Sequence, residues 1–404
     1  MCACSGPHSR RRHRDRRPLP LGIELLHPRG AAPPGGAERG LDVSSLDRNA
    51  NWRCPSHGVE SGPNQEVHLG TKAFNALYRR LSHAGFAPDF VRSALLPDWW
   101  SKDCEKDPQL LADLSFRVAR FLNLPLSVVE GAGALAAPVY AGARLRHVRN
   151  IDADRLGPAI HTGLSIAAAV ARSLRGAPAV RLPPSDAVEW SEQLLATSPN
   201  VGLTAVASDL WNRGIPVVHV ELLPTPKFQG LACVVGDRPV ILLGHGNDEP
   251  ARLLIHAAHE AGHVANRHCA PDAPVVDEED DVPAGPDPSG IEPTAESFAW
   301  SLLGGGRELP PLRGGDYRTL ANEAVALEQR THVDAGVLLW SYANRAQKFP
   351  DAQMALKALY RHVGARQALR DVFDRHVDLE SASETDRALL RCVFLDPERD
   401  GRPV

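Results

Sequence analysis

Long apolar runs are missing from this 404-residue chain. Nowhere does it reach the ~18 consecutive apolar residues that a membrane-spanning helix needs, so no segment is expected to cross a bilayer. Seven cysteines are present, but they are scattered, odd in number and never spaced C-x-x-C, which gives no disulfide framework. A reducing, cytoplasmic setting is the expectation. An excess of one charge is lacking too: the formal net charge of -4 exerts no global pull toward nucleic acid or membrane. What remains, 43% hydrophobic and 23% charged residues, is ordinary for a globular protein. The length predicts about two or three domains.

Residues 1–65 are rich in Pro, Gly, Arg and Ser. The cluster Arg10, Arg11, Arg12, Arg14, Arg16 and Arg17 is not followed by an apolar core, which excludes a secretory signal. The segment reads as a disordered basic tail, with nucleic-acid binding as the functional alternative.

The chain is organised around Ala251–Cys269, ARLLIHAAHEAGHVANRHC, which contains His259-Glu260-Ala261-Gly262-His263. This is the H-E-x-x-H pattern. Leu253, Leu254, Ala257, Ala258, Ala261 and Ala265 favour a helix that no proline interrupts, with Asn247 or Asp248 as its cap and Pro250 in its first turn. Residues four apart share one helix face, so His259 and His263 can offer two imidazole nitrogens to one metal ion. Glu260 follows the first histidine by about 100° of helix rotation and can reach a water at the ion without ligating it, which suits a general base. The bland alternative is a surface helix with two unligated histidines. A wet face would have no use for the Leu, Ile and Ala around both rings. Gly262 costs about 1 kcal/mol in a helix interior, and is expected where another backbone or a substrate comes close. Cys269 reads as a buried, inert thiol.

A two-histidine site needs a third protein ligand and an open position. Ile291–Leu303, IEPTAESFAWSLL, supplies Glu292 and Glu296 one turn apart on a helix whose apolar stripe is Phe298, Ala299, Leu302 and Leu303. One carboxylate can ligate while the other orients a ligand histidine. Two histidines and a carboxylate accept Zn2+, and also Mn2+ or Fe2+.

HEAGH followed by E-x-x-A-E-S-F-A-x-x-L-L resembles the ImmA/IrrE family of metallopeptidases over roughly Val201–Leu303. The resemblance implies Glu292 as third ligand, with Glu296 at the position of the family's usual Asn or Asp. Pro293 suggests a helix starting there, which leaves Glu292 at the cap and Glu296 as the alternative ligand. It also implies a cytoplasmic zinc metallo-endopeptidase with a narrow protein substrate, a repressor or other regulator cleaved under stress. The rival class is a transcriptional or stress regulator that keeps the metal for stability and binds DNA or protein.

Elsewhere, residues 66–150 read as helices: Phe74, Leu77, Tyr78 and Leu81 mark one face, and Val118–Ser127 resembles the end of a helix-turn-helix domain, although Pro88–Leu96 offers only Arg92 and Ser93 to read bases. A helical connector follows over 151–198. The peptidase-like domain is assigned to 199–310. It comprises a helix at Val201–Arg213 stopped by Gly214, a strand at Ile215–Leu223, and a hairpin of Leu231–Val235 and Val240–Leu243 around a four-residue loop, Gly236–Pro239. An extended substrate could pair with an exposed edge of that sheet. Asp277–Asp281 reads as a solvated acidic loop, or as an accessory cation site. Residues 311–404 form a C-terminal helical domain in which His332, Tyr342 or Arg345 could supply an oxyanion donor. The expected fold is therefore α+β and mostly helical: a small zincin-like metallopeptidase domain, its short sheet packed on the metal helix, flanked by helical N- and C-terminal regions.

Overall fold

The computed structural model describes residues 64–393 apart from 98, 141, 146–152, 177, 245, 247, 272, 278–289, 362 and 363. The basic tail, Asn247, and Glu278–Asp281 of the acidic run thus lie outside the described residues. Those that are described fall within one compact unit, Arg53–Val404.

The N-terminal helices are α1 (Asn64–His83), α2 (Pro88–Ala94) and α3 (Pro108–Leu122), followed by the two-residue strand β1 (Arg144–Leu145) and the long α4 (Ala153–Arg172). Next come α5 (Ala187–Leu195), α6 (Leu203–Asn212), and the strands β2 (Val217–His219), β3 (Gly230–Val235) and β4 (Arg238–Leu243). The centre of the chain is α7 (Pro250–Ala265), β5 (Val275–Asp277) and α8 (Ile291–Gly304). The C-terminal part is α9 (Tyr317–Thr331), α10 (Ala335–Ala346), α11 (Phe349–Leu359), α12 (Ala365–His376) and α13 (Glu384–Leu390). The fold is mostly helical with one small mixed sheet, in keeping with the α+β expectation. No described helix is long and apolar enough to cross a membrane.

The sheet has the order β1-β5-β3-β4-β2. Side chains on a strand alternate between faces, and here each face meets its own core. Val217, Ala232, Ile241 and Leu243 pack with Leu253, Leu254 and Ala257 of α7 and with helices α5, α6 and α8–α11. Val218, Leu231, Cys233, Val240, Leu242 and Val276 pack on the opposite side with α1–α4 and with residues of α12 and α13. A small sheet covered on both faces makes a rigid platform over α7. The C-terminal helices share the core of α7, since Leu320, Leu338 and Leu339 lie in one cluster with Leu253.

Three local expectations change. The hairpin loop is the two residues Gly236-Asp237, not four, because Arg238 pairs with Val235 and Pro239 with Val234. Gly236 takes the left-handed conformation (φ 65°) that a two-residue turn demands. The cap of α7 is Glu249, without a side-chain bond, and Pro250 opens the helix. Asp248 instead accepts the Arg366 N–H at 2.7 Å and so caps α12. In α2, Arg92 turns to Glu105 at 2.9 Å and stacks on the Tyr78 ring, so the arginine that Pro88–Leu96 offers is engaged within the protein.

The decisive packing for the site is α7 against α8. A Cβ on Gly262 would stand 3.0 Å from the Ala295 carbonyl oxygen and 3.1 Å from its Cα. The glycine is there because another backbone comes close. Gly262→Ala should gain about 1 kcal/mol of helix propensity but crowd α8 at a cost of ~1–3 kcal/mol. Urea unfolding is expected to give a lower midpoint for the variant; an equal or higher one would mean α8 yields freely.

Candidate metal centre

One turn of α7 separates His259 from His263, and their Nε2 atoms stand 3.1 Å apart in the buried interior. Close approach of α8 at Gly262 brings Glu292, in the first turn of that helix, to 3.3 Å from His259 Nε2 and 3.6 Å from His263 Nε2. Pro293 does not start the helix: α8 begins at Ile291, and a proline is tolerated in the first turn because the amide it lacks has no intrahelical partner there. Glu296, one turn on, faces solvent and is not among the grouped ligands.

A fourth group completes the cluster. Asp277 ends β5, is 3% exposed, and puts Oδ2 3.2 Å from His259 Nε2. It is not in a solvated loop. One ligand atom from each of His259, His263, Asp277 and Glu292 lies within 4.8 Å of every other. With ligand arms of about 2.0–2.1 Å, a tetrahedral zinc ion needs ligand atoms ~3.3–3.4 Å apart; the contacts made by His259 and His263, 3.1 to 3.6 Å, lie around that value, and no pair in the cluster exceeds 4.8 Å. Asp277 Oδ1 is buried with no hydrogen-bond partner among the described residues. Such an oxygen is costly to bury unless a cation compensates it. The donor set therefore fits a divalent ion.

Glu260 is fully buried on the same turn. Its carboxylate lies against Gly230 of β3, where a Cβ would meet Glu260 Oε1 at 2.0 Å. Only glycine leaves room for that carboxylate beneath the sheet. His268 stands 3.0 Å from His263, Nδ1 to Nδ1. Burial pushes the His268 pKa down, and its neutral ring can accept a hydrogen bond from Nδ1–H of a neutral His263. That tautomer leaves His263 Nε2 free to ligate.

The electrostatics are those of a metal-free cage. Burial opposes charge on His259, but the carboxylates of Asp277 and Glu292 outweigh it and raise its pKa well above the ordinary 6.5. Burial opposes charge on Glu292 as well, and bonds to His259 and His263 hold it far below the ordinary 4.5. The Cys269 thiol is pushed up to about 12 by burial and by the Glu260 charge, so it stays protonated.

Of the residues read from sequence, His259, His263 and Glu292 are brought together with Glu260 beside them, and Glu296 stands apart. His332 is engaged by the Pro199 carbonyl and Arg345 by Glu308 and the Leu309 carbonyl, while Tyr342 packs near Gly314. Asp277 was visible only as part of an acidic run, and His268 carried no signal beyond its place five residues after His263. Comparisons with protein-family models, curated proteins and solved structures return no match.

Two outcomes follow for the isolated protein. Metal must displace the proton that His259 holds, so zinc affinity should rise with pH and binding should release protons, measurable by calorimetry in buffers of different ionisation enthalpy. Without metal the signs differ. The raised His259 contributes stability in full below 6.5, lost as pH climbs through its higher folded value; the depressed Glu292 contributes in full above 4.5, lost as pH falls. The metal-free fold gains most from the pair between 4.5 and 6.5, which thermal unfolding across pH would reveal. In competitive zinc titration, Glu292→Ala should lose most of the affinity and Glu296→Ala almost none; the reverse order would move the third ligand to Glu296.

Proposed function

We propose that this chain is a zinc-dependent metallo-endopeptidase. The observation that carries the reading is the meeting of two imidazole nitrogens 3.1 Å apart with Glu292 within 3.6 Å of both, while the Glu260 carboxylate lies alongside without joining the ligand set. A purely structural site has no use for a carboxylate at that spot. Zinc, when bound, supplies a Lewis acid that lowers the pKa of water toward about 7 and polarises a carbonyl. Glu260 takes the proton from the attacking water, the peptide C–N bond breaks, and Glu260 returns that proton to the departing amine nitrogen. His268 keeps His263 in the ligating tautomer throughout.

The likeness of HEAGH and E-x-x-A-E-S-F-A to ImmA/IrrE peptidases supports a protein substrate of the regulator or repressor class and a cytoplasmic setting. The zincin-like character of the region around α7 rests on the same likeness and on the sheet that covers the helix. Mn2+ and Fe2+ suit the donor set as well as Zn2+ does.

One observation favours a second reading. With Asp277, four protein groups surround the metal position, as in closed sites that stabilise a fold. The chain would then be a regulator held together by zinc. DNA binding through α2 draws no support from Arg92, which Glu105 engages.

Glu260→Gln separates the two. The variant should bind zinc and unfold like the parent yet lose peptide hydrolysis by several orders of magnitude, because only the base is gone. Unchanged hydrolysis of an unstructured protein such as casein would place the base elsewhere; no hydrolysis by the parent, even with Asp277→Ala, would favour the regulator.

A further inference from the structure

A peptidase site built on three protein ligands needs room at the ion for a water and a substrate carbonyl. Here Asp277 stands beside His259, where a fourth protein ligand would come. Resting on the peptidase reading above, we propose that β5 is an inhibitory strap: it presents Asp277 as a fourth, displaceable carboxylate ligand that keeps the centre latent until that carboxylate withdraws.

The strand pairing places Asp277 there. β5 runs antiparallel to β3 in the register Gly230↔Asp277, Leu231↔Val276 and Ala232↔Val275. The Gln229 N–H donates to the Asp277 carbonyl at 2.8 Å, which fixes the last residue of the strap by its backbone. β3 is the strand that lies over Glu260, through Gly230. The edge of β3 beside the metal position, where an extended peptide would add as a strand, is thus covered by the protein's own main chain. The expected open edge at the site is closed by β5, and β1 lies on the far side of β5.

The two carboxylates are held differently, and this marks one as the removable ligand. Glu292 spans both histidines from the first turn of a well-packed helix. Asp277 faces His259 alone through Oδ2, and its Oδ1 has no hydrogen-bond partner among the described residues. Its side chain meets the site at one histidine only, while Val275 and Val276 hold the strand in the core. Burying a valine contributes on the order of 1.5–3 kcal/mol, so the strap stays in the core while the Asp277 side chain can rotate. Opening needs a side-chain movement at Asp277, not removal of a strand from the sheet. A substrate carbonyl or carboxylate that takes the place of the Asp277 side chain beside His259 would supply the driving interaction.

The test uses the full-length protein loaded with cobalt(II) in place of zinc, and acetohydroxamate as a small metal-seeking probe. Its binding is read from the cobalt visible spectrum, beside metal affinity and casein hydrolysis. Asp277→Ala and the isosteric Asp277→Asn should each bind acetohydroxamate at least about tenfold tighter than the parent, retain the metal with lowered affinity, and hydrolyse casein faster. Two results overturn the proposal: no gain in probe binding by either variant, or loss of the metal from a variant whose circular dichroism is that of the parent. A gain in probe binding without hydrolysis upholds Asp277 as the displaceable ligand and tells instead against the peptidase reading, so the two failures are distinguishable.

Discussion

Three carboxylates converge on two imidazoles in a nearly dry part of this molecule, and the rest of the central architecture answers to that concentration of charge. Glu260, Asp277 and Glu292 arrive from three different elements, and Glu260 is wholly out of solvent. Buried charge of one sign is tolerated only with a compensating partner. In the metal-free chain a proton on His259 provides part of it, which is why its pKa is raised and that of Glu292 is depressed. A divalent cation would provide more. The small side chains of α7, Ala257, Ala258, Ala261 and Gly262, let the sheet and α8 approach closely enough for the groups to meet.

Glycine placement shows how the backbone serves the chemistry. At Gly262 the missing side chain admits the backbone of α8, and at Gly230 it admits the Glu260 carboxylate. One glycine sets the distance between helices, the other the height of the sheet above α7. Neither is in a left-handed conformation, so both are requirements of space and not of backbone freedom. A carboxylate pressed on a strand in this way has little freedom of rotation, as a base needs if it is to accept and return a proton at one place.

Much of this was legible in the residue order. The helix around His259 and His263, the apolar stripe of Phe298, Ala299, Leu302 and Leu303, and Gly262 as a point of close approach all follow from local periodicity and composition. Three features did not. Pro293 misleads because helix-start rules weigh proline at the first position, whereas any amide of the first turn can be spared. The hairpin loop was read too long because Arg238 and Pro239 look like turn residues, yet both pair across the ladder. Asp277 was hidden because its role depends on a strand of three residues in a polar stretch, and such a strand is specified by its neighbours in space. Valines 275 and 276 were the only local hint.

The neighbours of β5 are joined to it by very unequal lengths of chain. The β3–β4 hairpin and α7 assemble from adjoining segments, while Arg144 and Leu145 must find Val275 and Val276 across the whole middle of the protein. Loop closure costs more entropy as the intervening chain lengthens, and non-local pairings form late. On the ribosome, β1 emerges well before its partner exists and has to wait unpaired. The hairpin and the metal helix are therefore expected to be in place first, with β1 sealing the outer side of β5 as a closing event. Run in reverse, the same ordering makes the β1–β5 rung, with the Arg144 N–H bonded to the Pro274 carbonyl at 2.8 Å, the first part of the sheet to exchange its amide hydrogens.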